Sequence, residues 1–129
     1  MAPAFPMIRK AVLAVAALLG AVGAAIAHHG WSWTDDGFFQ VEGTIADIYI
    51  GNPHATLDID AEGEIWRVEL APPSATIRAG FTEEAARVGD EVTAIGNRSR
   101  DHDERRMKAV RIIVNGKTYD VYPARTPPA

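Results

Sequence analysis

From residue 38 onward the chain contains several short stretches in which hydrophobic and polar residues alternate, the pattern typical of half-buried β-strands. The first stretch, residues 38–50, contains Gly43 and changes phase near Ala46, which predicts one long strand that is bulged and strongly curved. Residues 54–60 and 64–70 alternate without interruption, and a short turn sequence separates them. These two stretches therefore predict a β-hairpin.

The second half of the chain begins with a helical connection and continues with three more strands. Ser74 is predicted to cap the first helical turn, which stops before Gly80. The three strands are predicted over residues 91–96, 107–114 and 117–122. A charged loop over residues 97–106 separates the first two, and Asn115-Gly116 is a strong two-residue hairpin signal between the last two.

This order of elements predicts a mainly β fold, a small Greek-key barrel of the OB type with five to six strands and one short helical connection. An open sheet carrying one helix is the alternative, because alternation alone does not show whether a barrel closes. The predicted organisation is a signal peptide at 1–27, a lead-in at 28–37, the barrel at 38–123 and a disordered tail at 124–129.

Residues 1–27 have the composition of a signal peptide. Arg9 and Lys10 supply its positive charge, an unbroken apolar run follows, and the small residues Ala25 and Ala27 fit cleavage after Ala27. An uncleaved membrane anchor is the alternative, but the apolar stretch is slightly short of the ~20 residues of a spanning helix. We therefore expect a periplasmic protein that contacts a membrane only through an uncleaved leader. Two start sites are compatible with this leader, Met1 and Met7.

Composition and charge exclude several classes of function. Cysteine is absent, which excludes disulfides, thiolate metal sites and cysteine nucleophiles. Arg9 and Lys10 leave with the leader, so 11 of the 13 basic residues face 17 acidic ones and the formal charge falls from −4 to −6. Because this charge repels a phosphate backbone, we expect no nucleic-acid partner.

The histidines carry the clearest chemical signal. Cleavage after Ala27 makes His28 the new N-terminus, with His29 beside it. An N-terminal histidine offers both its α-amino group and a ring nitrogen to one ion, and imidazole suits Cu(II), Ni(II) and Zn(II). His54 follows Pro53 at the start of a predicted strand and is the candidate for a further ligand.

Asp58 and Asp60 are predicted to share the face of His54, where their carboxylates are candidates for orienting the histidine rings through hydrogen bonds. Each histidine also has a structural interpretation, as the polar start of a mobile tail or as the cap of a turn. His102 lies among mixed charges that are typical of a solvated loop.

The chain resembles a family of small exported bacterial proteins that is known only as a domain of unknown function. The resemblance rests on four short motifs in this order: His28-His29, Asn52-Pro53-His54, Trp66-Arg67-Val68-Glu69 and Gly89-Asp90-Glu91-Val92. Members share a His-His pair after the leader, a Trp-x-Asn-Pro-His-like motif and a Gly-Asp before a strand. This chain has Tyr49 as the nearby aromatic residue. The resemblance covers roughly the whole mature chain, and it implies export and a compact β domain without an activity.

Two functions are the main interpretations of these features. The first is a periplasmic binding protein that holds a transition metal, with copper favoured, through His28, His29 and His54. The second is an interaction module without a metal, which holds a periplasmic protein or a glycan. Trp31 and Trp33 would then stack on a sugar or cover an end of the barrel. Metal-dependent oxidation is a third interpretation without an identified substrate surface. We expect no enzyme, because no catalytic constellation is recognised in the sequence.

Overall fold

The computed structural model describes residues 30–128. The predicted leader, the cleavage site after Ala27 and the two histidines His28 and His29 lie outside the described residues. The described residues fall into two units, one that ends at Trp33 and one that begins at Thr34. The fold that follows is that of the second unit.

The described part of the chain contains the strands in the order that the sequence predicts. The elements are β1 (Phe39–Tyr49), β2 (Thr56–Ala61), β3 (Glu64–Glu69), α1 (Pro73–Arg78), β4 (Glu91–Arg98), β5 (Arg106–Val114), β6 (Lys117–Asp120) and a 3₁₀ turn (Pro123–Arg125). The main difference lies in β4, which continues to Arg98, so the charged loop that follows is shorter than predicted.

The strands close into a barrel. Their order in the sheet is β3-β2-β1-β4-β5-β6, and β3 also pairs in parallel with β5. This closing contact pairs Val68 with Met107 and Glu69 with Lys108. Five strands thus form the closed Greek-key barrel of the OB fold, and β6 extends it beside β5. The predicted barrel is confirmed, and the open-sheet alternative is wrong.

β1 pairs with two neighbouring strands. Its first half pairs with β4 and its second half with β2, and the register to β2 shifts between Ile45 and Asp47. A Cβ atom built on Gly43 would lie 2.1 Å from the backbone oxygen of Asp60. Gly43 therefore permits a close approach of β1 to β2 that no other residue allows. The register shift confirms the predicted bulge.

The inward-facing positions of the strands form one hydrophobic core. It includes Val41, Ile45, Leu57, Ile59, Val68, Leu70, Phe81, Val92, Met107, Ile112 and Val114. Phe81 follows α1 and packs edge-on against Tyr119, with 5.3 Å between ring centroids. Trp66 is partly buried against this core. The Arg98 guanidinium lies 5.1 Å from its ring centroid, a cation–π contact.

The short helix α1 begins differently from the prediction. Its N-cap is Pro72, no side chain caps it, and a proline occupies the first turn. Ser74 lies inside the helix, so its predicted capping role is wrong. Proline at the first helical position has a preset φ and no N–H to satisfy, which makes a side-chain cap less necessary. Within the described residues, no helix has the length and apolar character needed to cross a membrane.

The turn between β5 and β6 agrees with its sequence signal. Asn115 has a φ of 53° and Gly116 a φ of 75°. Two successive positive φ angles define the type I′ turn, whose twist matches that of the flanking strands. The predicted hairpin is therefore confirmed.

Candidate functional site

A polar cleft opens beside the loop that joins β1 to β2. We call it the His54 cleft; its volume is about 400 Å³, and it is lined by Asp47, Tyr49, Pro53, His54, Thr56, Arg67 and Glu69. Thr56 and Glu69 are paired across β2 and β3, whereas their neighbours Leu57 and Val68 point into the core. The cleft therefore lies on the outer face of the barrel, and its volume falls within the usual range for small-molecule sites.

Glu69 forms the floor of this cleft. The residue is 7% exposed, and its Oε1 accepts a hydrogen bond of 2.6 Å from Nη2 of Arg106. The same Oε1 lies 3.1 Å from Nε2 of His54. Within the described part of the chain, every hydrogen bond to this carboxylate is made to Oε1, and none is made to Oε2. Oε2 is not one of the buried side-chain atoms that lack a partner among the described residues, so solvent or a molecule in the cleft can reach it.

His54 is positioned by the backbone next to it. The N–H of Ala55 donates to the oxygen of Ala71, and the N–H of Leu70 donates to the oxygen of Ala55. The imidazole is 20% exposed and turns its Nε2 toward Glu69. In the neutral tautomer in which Nε2 donates this bond, the lone pair lies on Nδ1.

Tyr49 forms a rigid wall at the edge of the cleft. Its hydroxyl donates to the backbone oxygen of Asn52 at 2.9 Å. The phenol lies close against Gly51, where a Cβ atom would be 2.5 Å from the hydroxyl oxygen. Tyr49 nevertheless remains 48% exposed. The loop thus fixes the orientation of an aromatic ring while leaving much of that ring open to solvent.

The charges around the cleft are mostly paired. Arg67 holds Asp58 with two hydrogen bonds, of 2.6 and 3.3 Å, and this bonding raises the pKa of the guanidinium. Lys108 is the β5 partner of Glu69 and is 6% exposed. Burial lowers the pKa of Lys108, against a smaller opposite effect of the Glu69 carboxylate. Burial also raises the pKa of Tyr122, whose ring centroid lies 5.5 Å from Nζ of Lys108.

The structure places the predicted site residues as follows. His54 lies in the cleft, Asp58 is bonded to Arg67, and Asp60 accepts a hydrogen bond from the backbone N–H of Gly63 in the β2–β3 turn. Among the described residues, the His54 ring bonds to Glu69, which the sequence interpretation did not name. Across residues 30–128, no group of three or more His, Asp or Glu side chains is arranged to hold a metal ion.

The sequence did contain a signal for Glu69. The turn over residues 61–63 sets the register of the hairpin, and counting back from it pairs Thr56 with Glu69. His54 is two residues before Thr56 and was predicted to lie on the same face, so Glu69, opposite Thr56, is expected close to His54. The ion pair with Arg106 was not visible in the same way, because it depends on the closing contact of β5.

The charged loop after β4 is tied to the start of the second unit. Nε2 of His102 lies 2.6 Å from Oδ2 of Asp35, and Nε of Arg100 donates to the backbone oxygen of Thr34 at 3.0 Å. The His102 side chain is 62% exposed. This loop is therefore an exposed, ion-paired surface, as its mixed charge indicates.

Fold and cleft together define a small OB-type barrel with a polar cleft on its outer face. The model of DUF6152, a family of unknown function, matches residues 15–108. The chain belongs to this family, and the predicted membership of a family without a known activity is confirmed. A sequence comparison with curated proteins finds no match.

Solved structures with a similar fold have low sequence identity to this chain. The Stn1–Ten1 complex of S. pombe contains a chain of 20% identity with a TM-score of 0.49, covering 62% of this chain and 59% of that one. The ZRD-deleted mutant of TiaS in complex with agmatine has 18% identity and a TM-score of 0.50, covering 69% and 27%. The second similarity concerns the fold alone.

Proposed function

We propose that this protein is an exported binding protein that holds a small polar ligand in the His54 cleft. One observation carries the proposal. Glu69 is almost buried, lines the cleft and receives both of its described hydrogen bonds on Oε1. A bound molecule with a hydrogen-bond donor would take the place of solvent at Oε2, an accessible acceptor within the cleft.

The cleft has the general features of a binding site. It is concave, it has a rigid aromatic wall in Tyr49, and its polar groups come from three strands and one loop. Such convergent polar groups fix the orientation of a ligand. Two of these groups are also held by partners, Tyr49 by Asn52 and Arg67 by Asp58, so that less conformational freedom is lost when a ligand binds.

Binding without catalysis fits the chemistry of the lining residues. The two hydroxyl groups among them belong to Thr56 and Tyr49, and the Tyr49 hydroxyl is bonded to a backbone oxygen. His54 faces Glu69, whose charge is balanced by Arg106. A general base acting on a hydroxyl nucleophile would instead need its ring nitrogen within hydrogen-bond reach of that hydroxyl.

Export is part of the proposal and is supported by the leader at residues 1–27. On this proposal the protein acts in the periplasm after cleavage behind Ala27. Its partner is then a periplasmic small molecule, a group carried on a glycan, or a polar side chain of another protein.

Amide chemical shifts of the ¹⁵N-labelled protein test this proposal. The protein is titrated with a panel of small molecules that contains neutral sugars, diamines, carboxylates and amino acids. We expect at least one member to shift the amides of His54, Thr56 and Glu69, and Glu69→Gln to weaken this effect. The proposal fails if no member of the panel shifts these amides.

A second candidate function is copper binding through His28, His29 and His54. It is favoured by the bond between His54 and Glu69, because a carboxylate that holds one ring nitrogen often orients a metal-binding histidine through the other. Asp58 and Asp60, which bond to Arg67 and Gly63, would have to change partners to orient the histidine rings.

Native mass spectrometry of protein purified from the periplasm, with and without Cu(II), tests the second candidate. A mass that begins at His28 and retains one copper ion would support it. The double variant His28→Ala with His54→Ala should then lose copper. If this variant retains copper as well as the parent does, the assignment of these histidines is wrong.

A further inference from the structure

We propose that the ligand of the His54 cleft is a neutral saccharide, which stacks on Tyr49 and donates a hydroxyl hydrogen bond to Oε2 of Glu69. This inference rests on the proposed function, because it names the class of ligand for the same cleft. It follows from three properties of the described residues: the pairing of charges, the exposed aromatic ring and the remaining hydrogen-bonding groups.

The pairing of charges disfavours an anionic ligand. The guanidinium group of Arg67, which lines the cleft, is already bonded to Asp58, and that of Arg106 is bonded to the lining residue Glu69. An anion would have to compete with these carboxylates for the same donors. The Glu69 carboxylate is likewise balanced by Arg106, which weakens its attraction for a cation. A neutral molecule with hydroxyl groups needs neither of these ion pairs to break.

The aromatic wall favours a ligand with an apolar face. The Tyr49 hydroxyl is committed to the backbone oxygen of Asn52, so the ring contributes mainly its face to the cleft. A pyranose ring presents C–H groups on its faces and hydroxyl groups around its rim. The apolar face of the sugar can cover the exposed part of the Tyr49 ring while its hydroxyl groups reach the polar residues of the cleft.

The remaining polar groups match the rim of a sugar. Oε2 of Glu69 is an acceptor for a hydroxyl proton, and Thr56, which is paired with Glu69 in the sheet, offers a hydroxyl that donates and accepts. Arg67 gives Nε and Nη2 to Asp58 and is 53% exposed, so other guanidinium N–H groups remain for ligand oxygen atoms. An acceptor at the floor of the cleft and donors at its rim can bond to adjacent hydroxyl groups of one sugar.

The test uses ¹⁵N-labelled protein produced from the full chain and titrated separately with five probes. These are glucose, galactose, N-acetylglucosamine, glucuronate and putrescine. We expect at least one of the three neutral sugars to shift the amides of Tyr49, Thr56 and Glu69 in a saturable way. Neither the anion glucuronate nor the dication putrescine should do so at the same concentration.

Two variants and two matched controls assign the contacts. Glu69→Gln and Tyr49→Ala should each weaken sugar binding about tenfold or more, since a tenfold change corresponds to about 1.4 kcal/mol, the size of one good hydrogen bond. The controls are Glu42→Gln, an exposed carboxylate of β1, and Ile65→Ala, which is 49% exposed like Tyr49 at 48%. They should leave the affinity within twofold of the parent.

The outcomes separate this inference from the proposed function. If putrescine or glucuronate shifts the cleft amides and no neutral sugar does, the saccharide inference is overturned and the binding site stands. If no probe of any class shifts them, both fail. If a sugar binds but Tyr49→Ala keeps parental affinity, stacking on Tyr49 is refuted; this variant lies on the surface, so it stays informative even if Glu69→Gln does not fold.

Discussion

Replacing Gly43 with alanine should destabilise the barrel. The new Cβ atom would lie 2.1 Å from the oxygen and 2.8 Å from the carbonyl carbon of Asp60, both of them backbone atoms. Real Cβ contacts essentially never fall below 3.0 Å, so β1 and β2 must separate by about 0.9 Å. Both neighbours of β1 resist this movement, because Gly43 also pairs with Val92 of β4.

The expected loss follows from this displacement. Overpacking of this kind destabilises by about 1–3 kcal/mol, and weakening one ladder hydrogen bond adds about 1 kcal/mol. The sum of about 2–4 kcal/mol lowers the melting temperature by roughly 10–25 °C for a domain of this size. Far-UV circular dichroism during heating and urea unfolding measure both quantities on the parent and the variant.

The matched control for this prediction is Gly37→Ala. A Cβ atom at Gly37 meets nothing within 4 Å. Its free energy of unfolding should stay within about 0.5 kcal/mol of the parent. If Gly43→Ala is as stable as Gly37→Ala, β1 and β2 do not approach each other as closely as the distances at Gly43 require, and the role assigned to Gly43 is refuted.

Three further predictions concern the turn, the rim and the closing contact of the barrel. Gly116→Ala should lower the free energy of unfolding in urea by about 1 kcal/mol, because φ is +75° there; an unchanged value would contradict the type I′ turn. A double-mutant cycle of Arg67→Ala and Asp58→Ala should give a coupling energy of less than about 1 kcal/mol, because Arg67 is 53% exposed and solvent screens the ion pair. A larger coupling energy would contradict this screening by solvent. Titration of Lys108 by NMR should give a pKa below its ordinary 10.5. Between the folded pKa and 10.5 the unfolded chain binds more protons than the folded one, so this group increases the free energy of unfolding as pH rises through that window. A pKa at or above 10.5 would contradict the burial of Lys108.

The elements of this fold were predictable because their signals are local. The alternation of the strands, the phase change in β1 and the Asn115-Gly116 turn each depend on neighbouring residues. The capping role of Ser74 was predicted from the same kind of signal and was wrong. A proline already occupied the first turn of the helix, and this second local preference was the stronger one.

The site was less predictable because it depends on the closing of the barrel. In the sequence, Glu69 is a polar residue at the end of a strand, which is typical of a solvent-facing position. Its burial arises when β5, almost forty residues later, brings Lys108 and Arg106 against β3. Neither the period of the strands nor the hairpin register indicates that contact. The sequence therefore identified His54 and missed the carboxylate that holds it.

A crystal structure of the protein with the best-binding sugar of the panel would show whether the His54 cleft is a saccharide site. We expect the sugar ring over Tyr49 and one of its hydroxyl groups within about 2.5–3.0 Å of Oε2 of Glu69. A protein side chain bonded to Oε2, or a sugar bound elsewhere while the His54 cleft contains only solvent, would contradict this expectation.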